Sequence, residues 1–125
     1  MNTVLQFALI PRKLDAWNIG MRRVDKILAQ ERQAGYQAIA TGMYSDTVDI
    51  VVYKGREIVR VYEVTNYAMG GYIQLERGNR YRDNLLKYPV EKVFVCSYDQ
   101  NLVPLGGSSF FTQHGIQVRV VGYQD

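Results

Sequence analysis

Residues 45–65 constrain the fold more than any other part of the chain, because they contain two dense runs of β-branched residues. The runs cover residues 48–53 and 58–65, and Lys54-Gly55-Arg56 lies between them. β-Branched side chains favour strands, and a short polar connection that contains glycine favours a tight turn. The segment therefore predicts a β-hairpin.

Two acidic residues, Asp49 and Glu63, interrupt these apolar strands. Burying a carboxylate is costly unless it forms an ion pair or binds a metal. With a three-residue loop at 54–56, Asp49 faces Val61, and Glu63 is its diagonal neighbour on the same face, with Cβ atoms roughly 7–8 Å apart. Two carboxylates at that distance can bind one Mg²⁺. A two-residue turn at Lys54-Gly55 would place them on opposite faces, so the register decides whether the site exists.

The spacing of apolar residues predicts the other elements. Helical spacing covers residues 14–34 and 72–88, and an apolar run covers residues 3–10. Strands are predicted at 36–43, 92–98 and 116–123, and a short helix is predicted after Gly106-Gly107. Residues 1–125 are expected to form a single α+β domain, in which a central mixed sheet is flanked by helices.

Both long helices combine an apolar stripe with basic residues. The inward positions are predicted to be Trp17, Met21, Val24, Ile27 and Leu28 in the first helix, and Ile73, Tyr81, Leu85 and Leu86 in the second. The basic residues are Arg22, Arg23, Lys26 and Arg32 in the first helix, and Arg77, Arg80, Arg82 and Lys87 in the second. A solvated helix face is the alternative interpretation of these charges.

Composition and charge give only broad information about the class of protein. The net charge of +3 is too small to predict a nucleic-acid partner by itself. The single cysteine, Cys96, cannot form an internal disulfide, which favours a reducing, cytoplasmic location. Neither a membrane-spanning run nor a signal-peptide pattern is predicted.

The order of these features resembles the PD-(D/E)xK nuclease superfamily, which includes restriction endonucleases and archaeal Holliday-junction resolvases. The resemblance covers about residues 14–123. It rests on Asp49, the thirteen residues that follow it, Glu63-Val64-Thr65 and the basic helix after them. Val48 stands where the motif has proline, and Thr65 stands where it has lysine.

The resemblance implies a restriction-endonuclease-like fold and a Mg²⁺-dependent DNA endonuclease, including a structure-selective one. Asp49, Glu63 and the carbonyl of Val64 would bind Mg²⁺ or Mn²⁺, without any small-molecule cofactor. Thr65 would occupy the position of the catalytic lysine, and Arg80 would supply the missing charge.

The same resemblance implies the partners. DNA would be contacted by Arg22, Arg23, Arg77, Arg80 and Lys87. Small members of the superfamily cut two strands as dimers, so a C₂ homodimer is expected. Its contact would be residues 3–10 or residues 102–111, where Phe110 and Phe111 are predicted to be exposed. No membrane partner is expected.

Two other functions remain open from the sequence. The chain could be a nuclease-fold protein that binds DNA without cutting it, because the motif lysine is missing. It could also be a structural or assembly protein without nucleic-acid chemistry, in which Asp49 forms an ion pair with Arg60 or Lys54.

Overall fold

The structure is a computed structural model, and it describes residues 12–42 and 44–123. The helices are α1 (Arg12–Gln33), α2 (Leu75–Leu86) and the short α3 (Ser109–Thr112), with a 3₁₀ helix at Asp99–Leu105. The strands are β1 (Gln37–Ala40), β2 (Ile50–Lys54), β3 (Glu57–Val64), β4 (Glu91–Cys96) and β5 (Ile116–Val120). The apolar run 3–10 lies outside the described residues.

The five strands form one mixed sheet in the order β1-β2-β3-β4-β5. The first three strands are antiparallel, whereas β4 is parallel to β3 and β5 is parallel to β4. Helix α2 connects β3 to β4, and the 3₁₀ helix and α3 connect β4 to β5. The predicted α+β class, with a mixed sheet flanked by helices, is confirmed.

The two faces of the sheet bury separate apolar clusters, because side chains alternate along each strand. On one face, α1 packs through Val24, Ile27 and Leu28 against strand residues that include Tyr62 and Val95. The other face buries Val51, Val61 and Phe94 against Leu85 of α2 and Phe111 of α3. None of the helices among the residues described is long and apolar enough to cross a membrane.

The hairpin register differs from the predicted one. Lys54 pairs with Glu57, so the turn is Gly55-Arg56, and Gly55 adopts a φ of +65°. The predicted three-residue loop is therefore wrong. A β-bulge lies farther along, where Tyr53 pairs with Ile58 but Val52 pairs with Arg60, which makes Val59 the extra residue of β3. With a two-residue turn alone, Asp49 and Glu63 would point to opposite faces of the sheet. The extra residue of the bulge shifts the register by one, so both side chains point to the same face.

Helix α1 differs from its predicted faces at two positions. Trp17 is 60% exposed, whereas Arg23 is 1% exposed. The guanidinium of Arg23 donates to the carbonyl oxygens of Thr65 and Gly122, which lie beyond the ends of β3 and β5. A buried main-chain carbonyl beyond the end of a strand has no partner in the sheet and needs another hydrogen-bond donor, and the guanidinium of Arg23 is that donor. The prediction that Arg23 lies on the polar face is therefore wrong, whereas its contact with DNA remains a prediction.

Other predicted exposures also change because of tertiary packing. Leu86, predicted to face inward, is 41% exposed, since α2 turns Leu85 and Asn84 towards the sheet instead. Phe111, predicted to be exposed, is fully buried and stacks on Phe94 with ring centroids 4.1 Å apart. Phe110 is half-buried. Within the predicted contact at 102–111, Leu102 and Phe111 belong to the core, whereas Val103 is exposed.

Candidate functional site

Asp49 and Glu63 lie together at one end of the hairpin. Ile50 pairs with Tyr62, so the next residues towards that end are Asp49, just before β2, and Glu63 in β3. The two carboxyl groups lie close enough for each to shift the pKa of the other. Both are nearly inaccessible, with exposed fractions of 9% and 3%. The structure thus brings the two predicted carboxylates close together.

Each carboxylate has a second donor. Oδ2 of Asp49 accepts a hydrogen bond of 2.7 Å from the main-chain N–H of Val64. Oε2 of Glu63 accepts one of 3.3 Å from Nδ2 of Asn84 in α2, and the same Nδ2 donates to the carbonyl of Ser45 at 3.0 Å. Asn84 therefore ties α2 to Glu63 and to the loop before β2.

Asn84 is a site residue that the sequence patterns did not predict. It is 3% exposed and lies on the inward face of α2, three residues after Tyr81 and next to Leu85. A buried amide inside a helix needs polar partners, since it adds little to apolar packing. The sequence signal was a polar residue within the inward stripe of the second helix.

Burial and mutual repulsion change the acidity of this pair. Burial, followed by the charge of Asp49, raises the pKa of Glu63 to about 9, and the amide of Asn84 offsets part of the rise. Burial also raises the pKa of Asp49, against the effect of the Val64 N–H. Two carboxyls so close together cannot both ionise easily, so the pair holds a proton near neutral pH.

A cleft of about 350 Å³ opens over the pair. Arg77, Arg80 and Tyr81 of α2 form one wall, and Tyr44 and Ser45 form another. Val64 also lines the cleft, and because its side chain packs in the cluster under α1, it does so through its main chain. The cleft therefore combines an acidic floor with a basic wall.

Tyr81 holds the basic wall against the sheet. Its ring packs on Phe94 with centroids 5.6 Å apart, and its hydroxyl lies 3.4 Å from that of Tyr67. The hydroxyls of both tyrosines interact with the guanidinium of Arg77 and raise its pKa, whereas the charge of Arg80 acts on Glu63 and lowers the pKa of Glu63. Within the part of the chain that the structure describes, Arg80 forms no salt bridge.

Other predicted site residues lie elsewhere. The hydroxyl of Thr65 donates to the carbonyl of Val95 at 2.7 Å, and the residue is 5% exposed, so its side chain is bound to β4. A catalytic role for Thr65 remains a prediction. Lys87 is exposed and donates to the carbonyl of Asp46 at 2.8 Å. Arg22 is exposed on α1, which covers the opposite face of the sheet.

The ion-pair alternative for Asp49 is wrong for Arg60. The guanidinium of Arg60 binds Glu31 at 2.7 and 2.9 Å and also binds Glu91. These contacts form on the α1 side, because Arg60 shares its face with Tyr62, whose hydroxyl also donates to Glu31. Lys54, the other suggested partner, is exposed at the opposite end of the hairpin.

The donor set of the cleft fits a cation that keeps much of its hydration. The described residues contain no group of three or more His, Cys, Asp or Glu side chains suited to a metal. The cleft itself offers two carboxylates and the main chain of Val64. Mg²⁺ commonly binds through one or two carboxylates, with water and substrate oxygens completing its shell. The residues present fit that pattern.

Comparisons of the chain with protein-family models, with curated proteins and with solved structures found no match. The function is therefore inferred from the chemistry of the cleft.

Proposed function

We propose that the chain is a Mg²⁺- or Mn²⁺-dependent DNA endonuclease of the PD-(D/E)xK type, with the acidic cleft as its active site. One observation carries the proposal. Asp49 and Glu63 lie close together in a cleft whose opposite wall presents Arg77 and Arg80. Carboxylates for a divalent ion beside cations for a phosphodiester are the groups that hydrolysis of DNA requires.

Asp49, Glu63 and the main chain of Val64 would hold the ion. When bound, the ion supplies Lewis-acid activation of water and of the scissile phosphate. Glu63 must then release the proton that it holds at neutral pH, since carboxylate ligands bind metals in the ionised form. Asn84 keeps Oε2 of Glu63 oriented during this change, through its hydrogen bond to that atom.

The basic wall would bind and orient the phosphodiester. Arg80 faces Glu63 closely enough for its charge to act on that carboxyl, so a phosphate above the acidic pair would lie within its reach. Because the hydroxyl of Thr65 is bound to β4, Arg80 is the cation placed to compensate for the absent motif lysine. Arg77 would add a second contact to the backbone.

Metal binding is the first test. Calorimetry with Mn²⁺ should show one site in the unmodified chain, and Asp49→Asn and Glu63→Gln should each abolish it. Glu57→Gln is the matched control, since Glu57 is an exposed acid at the other end of the same strand. Mn²⁺ binding that persists unchanged in both cleft variants would overturn the proposal.

Binding of DNA without cleavage is the second candidate. Two observations favour binding without cleavage. The hydroxyl of Thr65 is bound to β4, and no lysine lines the cleft within the described part of the chain. Incubation of branched and linear DNA with the chain and Mn²⁺ separates the two functions. Cleavage that Glu63→Gln abolishes supports the nuclease, and tight binding with intact DNA supports the second candidate.

A further inference from the structure

A second pocket, of about 100 Å³, lies on the face of the sheet that α1 covers, opposite the acidic cleft. Helix α1 contributes Arg23, Lys26 and Gln30, while Val95 of β4 and Arg119 of β5 contribute from the sheet. The proposed nuclease chemistry uses none of these side chains. The pocket is thus a separate feature of the fold.

The helical period of α1 and the alternation of side chains along the strands together place the polar side chains of this pocket on facing surfaces. Arg23, Lys26 and Gln30 are three and four residues apart, so they share one face of α1. Arg119 pairs in register with Val95, whose side chain packs under α1. Residues paired in register point to the same face of a sheet, so Arg119 points towards α1 as well.

The lining carries three cations and no acid. Glu31 is the carboxylate on this face that the charge of Arg119 stabilises, but it is already bound by Arg60 and Tyr62. Arg119 lies over the ring of Tyr62, 5.4 Å from its centroid. A concave site lined by one sign of charge, with an apolar floor such as Val95, attracts a counter-ion.

Two of the cations are held in place before any ligand arrives. Arg23 is bound to the carbonyls of Thr65 and Gly122, and Arg119 is held by the aromatic ring. Ordered side chains lose little conformational entropy on binding, which favours affinity for a small ion. The volume suits one tetrahedral oxyanion and is too small for a nucleoside.

We propose that this pocket binds a phosphate group, either as free phosphate or as the terminal phosphate of a nucleic-acid strand. Guanidinium and ammonium groups from two elements would surround the oxyanion and donate charge-assisted hydrogen bonds to it. Gln30 would add a neutral donor from the side of α1.

Titration of the full chain with inorganic phosphate, followed by ¹H–¹⁵N NMR, tests the site. Amide shifts should change around Lys26, Gln30 and Arg119, and Lys26→Gln and Arg119→Gln should each weaken binding about tenfold. Lys26 is exposed, so Lys26→Gln should fold normally. Arg56→Gln, an exposed arginine at the far end of the sheet, is the control and should bind as the unmodified chain does.

Equal phosphate affinity in Lys26→Gln and Arg119→Gln, or shifts confined to other surfaces, would overturn the proposal. Glu63→Gln should retain phosphate binding, which separates this inference from the proposed nuclease activity. Short single-stranded oligonucleotides with and without a 5′-phosphate identify the source. A preference for the phosphorylated strand that Arg119→Gln removes indicates a terminal phosphate, and equal binding of both strands indicates free phosphate.

Discussion

At the scale of single residues, each carboxylate of the cleft is held by a donor from a different part of the fold. The main-chain N–H of Val64 binds Asp49, and the amide of Asn84 binds Glu63. Donors of this kind orient metal-binding carboxylates and tune their affinity. The two acids are therefore only part of the arrangement that the proposed function needs.

Asn84→Ala is expected to weaken Mn²⁺ binding about tenfold to a hundredfold, the usual range for partners that orient a ligand. The physical reason is the loss of the donor to Oε2 of Glu63 and of the tie to Ser45. Calorimetry measures the affinity, and circular dichroism checks the fold. Asn79→Ala, on a half-buried asparagine of the same helix, is the control. Unchanged Mn²⁺ affinity in Asn84→Ala would remove the positioning role.

The raised pKa of Glu63 predicts how stability depends on pH. The folded chain holds this proton up to about pH 9, whereas the unfolded chain releases it near 4.5. The folded state therefore binds more protons between these values, so its free energy of unfolding falls as the pH rises from about 4.5 to about 9.

Denaturant unfolding at several pH values, without divalent ions, measures this fall. Between pH 5 and 9 the unmodified chain should lose at least about 1 kcal/mol more than Glu63→Gln, which cannot ionise at that position. Parallel curves for the two proteins would show that Glu63 does not hold the proton in the folded state.

At the scale of secondary-structure elements, α2 forms the basic wall of the cleft. Its inward face is anchored by Leu85 in the core and by Asn84 at the carboxylates, and Tyr81 packs on Phe94. Lys87, just beyond its end, binds the carbonyl of Asp46 in the loop before β2. These contacts leave Arg77 and Arg80 facing the cleft.

The two arginines are expected to differ in their effects. Arg77→Ala should weaken DNA binding about equally for all sequences and lower the salt slope of binding by roughly 1 for the lost phosphate contact. Arg80→Ala should reduce cleavage more than it reduces binding, because its charge lies beside Glu63.

Arg82→Ala is the matched control for both changes, since Arg82 lies on the same helix but binds Asp83 and covers Phe110. Binding isotherms at several salt concentrations and single-turnover cleavage assays supply the two measurements. Full cleavage by Arg80→Ala would exclude it as the replacement for lysine. Losses of affinity without a change of salt slope would show that the arginines form an ordinary solvated face.

At the scale of the whole molecule, the mixed sheet separates two chemically different surfaces. The α2 side holds the acidic cleft, and the α1 side holds the cationic pocket. Arg23 lines the pocket and binds the carbonyl of Thr65, two residues after Glu63. The end of β3 is therefore the part of the sheet that both surfaces share.

The expected C₂ homodimer remains a prediction. Light scattering at high micromolar concentration should give twice the 14.4 kDa mass of the chain. If residues 102–111 form the contact, Val103→Asp should yield a monomer, because Val103 is 62% exposed within that segment. Ile39→Asp, at an exposed position in β1, is the control. A monomeric mass for the unmodified chain would contradict the prediction.

Local patterns in the chain were sufficient to predict the class of fold and the two acids of the cleft. Runs of β-branched residues and helical apolar spacing depend on neighbours in the chain, so they predicted the strands, both long helices and the mixed sheet. An acidic residue within an apolar strand pattern can also be identified from the sequence. Asp49 and Glu63 could therefore be selected before any contact was known.

Which side chains contact one another depends on the packing of whole elements, and the sequence patterns did not predict it. The bulge at Val59 sets the register that joins the two acids, and no local pattern distinguishes Val59 from its neighbours. Asn84, Thr65 and Arg23 acquired their roles from segments distant in sequence: Glu63, the carbonyl of Val95, and the ends of β3 and β5. Such contacts depend on how whole elements pack, which local sequence patterns do not specify.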